Sequence, residues 1–113
     1  MKVVVQNGCA HVLGRQDVED ILPVLPKRID RTVTSITLYQ GDRDELFLSF
    51  HKKEKSLGLY CPTNAEHLSK RGAIELIVAG MLCIDERGEW PDRMPESRMT
   101  AYMEEARRLL DKR

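Results

Sequence analysis

Apolar and polar positions repeat along this chain with two different periods, and each period marks a different kind of element. Val3, Val4 and Val5 form a β-branched run closed by Asn7-Gly8, which predicts a first strand and a turn. Val18, Ile21, Leu22 and Leu25 then recur at i, i+3, i+4 and i+7, the stripe of an amphipathic helix. Asp17 suits the N-cap, and Glu19 and Asp20 fall in a first turn where the helix dipole favours acids. Pro23 interrupts the stripe. It lacks an amide donor, so it should kink the helix or split it into two short pieces, with Pro26 marking the end.

A period of two takes over from Thr32 to Cys61. Ile36 and Leu38 share one face, and Thr37 and Tyr39 the other. Leu46, Leu48 and Phe50 alternate with Phe47, Ser49 and His51, and Leu57, Leu59 and Cys61 alternate with Gly58 and Tyr60. Gly41-Asp42-Arg43-Asp44 is turn chemistry, and Lys52-Lys53-Glu54-Lys55 is a solvated hairpin loop. Connections this short predict three strands in an antiparallel meander, with one apolar face that helices must cover.

Pro62 stops the third of these strands, and Thr63-x-x-Glu66 is a capping box that predicts a helix over residues 63–84. From Gly72 to Ile84 every residue is apolar except Glu75. A helix apolar on nearly all sides is buried on nearly all sides, so this one is the expected centre of the molecule. Ala73, Ala79 and Gly80 would let neighbours approach closely. After a charged loop from Asp85 to Met94, which contains Trp90 and Pro91, a second clean stripe runs through Met99, Tyr102, Met103, Ala106, Leu109 and Leu110. Pro95 suits that helix's first turn. The expected fold is therefore one α+β domain over residues 1–113, in the order strand, helix, three-strand meander, helix, helix. Its small, mostly antiparallel sheet has the helices packed on one face.

Composition changes this picture little and restricts function more. At 113 residues, with 42% hydrophobic and 32% charged positions, the chain can bury a core without covalent staples. Eighteen basic residues balance eighteen acidic ones. That balance gives no support for a nucleic-acid partner and little repulsion between copies, so a protein partner or a homodimer is the expected association. No apolar run is long enough to span a membrane, and the first residues are too short a run for a signal peptide. Cys9, Cys61 and Cys83 are odd in number and widely spaced, which reads as reduced thiols of a cytoplasmic protein.

Glu75 is the weak candidate for a catalytic residue, as the lone charge within an apolar helix. An unpaired buried carboxylate is costly and favours its protonated form, a property general acids and bases exploit. Arg71 stands one turn earlier, at i−4, and offers the competing account, an ion pair on the helix's one wet strip. A metal site assembled from Cys9, His11, Cys61 and His67 has no ligand-pair spacing to support it, so neither a metal nor a cofactor is expected. Without such a site, Cys61 and Cys83 act as small apolar fillers, and His51 and His67 sit at the surface. Cys9 as a nucleophile would need an activating base, and His11 is too close in sequence to be assumed in reach. Glycines never cluster into a phosphate loop, and no Ser-centred nucleophile elbow is present. The basic end, Arg107, Arg108, Lys112 and Arg113, reads as solvated helix face offset by Glu104 and Glu105. Met99 and Met103 read as core, with an adaptable contact surface as the alternative.

The order of elements resembles the compact core of the zincin metallopeptidases. Ile21-Leu22-Pro23-Val24-Leu25-Pro26 leads into Thr34-Ser35-Ile36-Thr37-Leu38, a hairpin follows, and then comes the apolar helix Ala73-Ile74-Glu75-Leu76-Ile77-Val78-Ala79-Gly80. The resemblance spans roughly residues 17 to 110 and is one of pattern. In that family a His-Glu-x-x-His helix holds zinc through two imidazoles, and its glutamate activates the bound water. If Glu75 stands at the family's glutamate, Ile74 and Val78 occupy the two metal positions, and neither binds zinc. The resemblance then implies a scaffold without its metal, a pseudoenzyme acting by binding or self-association. Two other functions are compatible with the sequence. One is a hydrolase using Glu75 with residues that converge only in three dimensions, and the other is a small regulatory or immunity-type binder of unrelated fold.

Overall fold

The computed structural model describes residues 1–6, 13–40, 45–62, 69–91 and 93–112. Within them, β1 (Lys2–Val5) precedes α1 (Arg15–Glu19), two 3-10 turns at Leu22–Val24 and Lys27–Arg31, β2 (Ser35–Gln40), β3 (Phe47–His51), β4 (Ser56–Cys61), α2 (Lys70–Arg87) and α3 (Glu96–Asp111). The order of strands and helices follows the hydrophobic pattern, and the pairing of the strands does not.

The sheet is mixed, with spatial order β1-β2-β4-β3. β1 and β4 both run parallel to β2, and only β3 is antiparallel, to β4. This corrects the expected meander and the mostly antiparallel sheet. The burial of the strands gives the physical reason. Leu57, Gly58 and Leu59 of β4 are all buried, whereas β3 ends in the exposed His51. A meander would put the wetter strand in the middle and the drier one at the edge; the observed order does the reverse. The connection 41–46 has the reach to pass one strand, since next-nearest strands lie ~10 Å apart and each residue spans up to ~3.3 Å.

Helices cover one face. Val3, Ile36, Leu38, Leu48, Leu57 and Leu59 point to it and are almost wholly buried. α2 crosses beneath them. An added Cβ at Gly80 would run into the Leu48 side chain, with Trp90 close behind, so the missing side chain is what lets α2 sit this near β3. α3 packs along α2 through Tyr102, Ala106 and Leu110, as its stripe predicts. On the opposite face Tyr39 and Tyr60 stack at 4.8 Å with their planes 12° apart, and both rings lie over Gly58.

Local sequence explains the element ends. Pro23 does split the expected first helix, leaving a single short α-helical piece before the 3-10 turns. Asp17 caps it from inside, accepting the Gly14 amide at 2.8 Å, and does not itself stand at the N-cap. The capping box Thr63/Glu66 lies outside the described residues. The described part of the central helix starts at Lys70, with Ser69 accepting the Gly72 amide at 3.2 Å, and it runs past Ile84 to Arg87. Gly88, at φ 76°, closes it in the left-handed conformation that glycine adopts without penalty. Cys61 corrects the reading of three reduced thiols: it is disulfide-bonded, while Cys83 is free and buried. No helix of the described residues is long and apolar enough to cross a membrane.

Candidate functional site

Glu75 lies on α2 one turn beyond Arg71, and the register of α3 against α2 brings Arg107 to its other side. Its two oxygens are divided between them. Oε2 accepts from Arg71 Nε at 3.3 Å and Oε1 from Arg107 Nε at 3.0 Å. Arg71 also reaches Asp111 on α3 at 2.8 Å through its second nitrogen. Four side chains thus form an acid–base chain across the α2–α3 seam. The Glu75 side chain is only 10% exposed, and its two arginines are about half exposed at 47% and 52%. The carboxylate therefore sits under a lid of guanidinium groups whose far sides meet solvent, so the charge enters the protein interior already paired. Arg71 is the partner the helical spacing indicates. Arg107 is the one it leaves out, because nothing local joins positions 75 and 107.

The helix neighbours of Glu75 at i−1 and i+3 are apolar and inward. Val78 is fully buried and Ile74 nearly so, both within the core. No group of three or more His, Cys, Asp or Glu side chains converges on a point among the described residues. Cys9, His11 and His67 lie outside those residues, Cys61 is taken up in its disulfide, and His51 is exposed at the end of β3.

A second polar cluster joins the end of α2 to α3. Arg87 Nε donates to the Tyr102 hydroxyl at 2.9 Å, and that hydroxyl donates to Glu86 at 3.2 Å. Cys83, beneath them, donates through Sγ to the Glu89 carbonyl at 3.3 Å. Burial pushes the Cys83 thiol upward, with Tyr102 and Arg87 working against it. Burial also raises the Tyr102 phenol, opposed by its bond from Arg87. Both groups therefore stay neutral at ordinary pH, and the thiol is a poor nucleophile. Beside them a shallow cleft of about 610 Å³ opens between Pro26, Arg28 and α3, where Arg28 grips Asp85 through two bonds of 2.8 Å. Glu75 does not line it.

Two surfaces remain. The stacked tyrosines on the sheet face opposite the helices stand 4.8 Å apart, the spacing of neighbouring strands, and Phe47 tilts against Tyr60 at 6.0 Å. Tyr60 has a neighbouring ring on either side, so the row is a cross-strand ladder and not an open platform for flat ligands. Along β3, a small groove of about 120 Å³ is lined by Leu46, Leu76, Trp90, Pro91, Met94 and Met99 among others. Met99 and Met103 are both partly buried against the core, and Met99 also lines this groove. Compared with protein-family models, with curated proteins and with solved structures, the chain matches none.

Proposed function

We infer that the chain is a non-catalytic binding domain that acts through self-association, on a layout derived from a zincin-like core. The observation that carries the reading is the placement of Glu75. The one acid of the apolar stretch from Gly72 to Ile84 is gripped from both sides by guanidinium groups that tie α2 to α3. Both of its oxygens accept from arginines along the α2–α3 seam, which gives the carboxylate a structural task. Ile74 and Val78 support the same reading, because they fill core space where a metal centre would need imidazoles. A hydrolase built on Glu75 would need His or Cys within hydrogen-bond reach of it, and its partners here are arginines.

Zinc analysis of the purified protein tests the non-catalytic half of this reading. The expected result is zinc well below one equivalent per chain, both as purified and after incubation with zinc followed by desalting. One tightly held equivalent would overturn it.

A further inference from the structure

The cleft between Pro26, Arg28 and α3 has no part in the Glu75 network, and its volume of about 610 Å³ falls within the ~300–1,000 Å³ usual for small-molecule sites. Among the described residues, three arginines and three acids line it, and they are unevenly paired. Arg28 is spent on Asp85 through two bonds of 2.8 Å. Arg87 and Glu86 hold the Tyr102 hydroxyl between them, at 2.9 and 3.2 Å. Glu105 is taken by Arg108 at 2.8 Å. Arg98 is left over. It lines the cleft and is half-buried, and its guanidinium makes neither a hydrogen bond nor an ion pair among the described residues. A cation partly withdrawn from water with no partner in its own chain gives up hydration without return.

We propose that this cleft binds a small organic monoanion, a carboxylate carried on a compact apolar body, with Arg98 as its anchor. The planar fork of a guanidinium matches the two oxygens of a carboxylate. Pro26, Leu82 and Ala101 supply apolar wall for the rest of the ligand. The balance of charge argues for one negative charge and against two. Each acid of the cleft already has a basic counterpart, so Arg98 leaves one positive charge to be met. A second negative charge on the ligand would face Asp85, Glu86 and Glu105 with no further cation to offset them. The site goes beyond the self-association reading and does not require it.

Benzoate is the probe, titrated into the protein at fixed ionic strength and followed in the amide NMR spectrum. Saturable shifts should group at residues 82–87 and 98–105, the two helix segments that wall the cleft. Benzamide keeps the shape without the charge, and phenyl phosphate is a dianion at mild alkaline pH. Each should bind about tenfold more weakly than benzoate, or worse. Arg98→Gln should weaken benzoate by about tenfold or more, and Arg98→Lys, which keeps the charge without the fork, should fall between it and the wild type. Arg93→Gln, at an exposed position outside the cleft, should leave the affinity unchanged. A dispersed amide spectrum establishes that each variant is folded, and the comparison of the three probes on the wild type stands without any variant. The proposal is overturned by an absence of saturable shifts, by shifts centred elsewhere, by benzamide or phenyl phosphate binding as well as benzoate, or by an affinity indifferent to Arg98→Gln.

Discussion

Replacing Glu75 with Gln keeps the volume of the side chain and removes its charge, so it isolates what the carboxylate contributes. Glu75 now accepts one bond of 3.0 Å and one of 3.3 Å from positively charged donors while only 10% exposed. A hydrogen bond to a charged group contributes about 1.5–3 kcal/mol where water is excluded, and an exposed ion pair about 0.2–1 kcal/mol. The solvent-facing arginines place this carboxylate between those limits. Glutamine retains one acceptor oxygen, so the expected loss is about 1–2 kcal/mol. Glu75→Ala also removes packing at the seam and should cost about 1 kcal/mol more. The decisive quantity is the coupling between positions 75 and 107. Urea unfolding of the wild type, Glu75→Gln, Arg107→Gln and the double variant should give a coupling of about 1 kcal/mol. A coupling near zero, or a more stable Glu75→Gln protein, would refute the structural role. An acid that weakens the fold would then have to be explained by chemistry.

Three further outcomes follow from the same packing. Gly80→Val should destabilise the fold by about 1–3 kcal/mol in urea unfolding, because Leu48 already occupies the added volume; an unchanged midpoint would mean α2 sits further from β3 than described here. Alkylation of the denatured, unreduced protein followed by peptide mapping should find Cys83 modified and Cys61 not, and Cys83 should resist iodoacetamide at mild alkaline pH until the chain unfolds; modified Cys61, or rapid native alkylation of Cys83, would contradict the disulfide at Cys61 or the burial of Cys83. Tyr102 has a folded-state pKa raised above its ordinary value of about 10, so the fold favours the protonated phenol. Its contribution is present below the unfolded pKa and is lost as pH rises through the folded one. Tyr102→Phe should therefore flatten the alkaline limb of the stability profile, and an unaltered limb would count against the assignment.

The hydrophobic pattern carried the elements well because each buries a face of its own. Pro23 announces the broken first helix, the unbroken apolar run announces α2 as the interior helix, and the stripe from Met99 to Leu110 announces α3. Strand pairing was less legible, since alternation says which side chains of β2, β3 and β4 share a face but not which strands are neighbours. The clue lay in relative dryness: Leu57-Gly58-Leu59 is more apolar than Ser49-Phe50-His51 and takes the inner place. Trp90 falls in a charged loop by local composition and is nevertheless buried, beside Gly80 of the preceding helix. The candidate site was legible by half. Arg71 follows from helical spacing, whereas Arg107, like Arg28 against Asp85, is joined to its acid only by tertiary packing.

Self-association of this domain is tested most directly by sedimentation equilibrium over a wide range of concentration. The mass should rise reversibly from that of one chain toward that of two as concentration increases. A 13.0 kDa species at every concentration would contradict it.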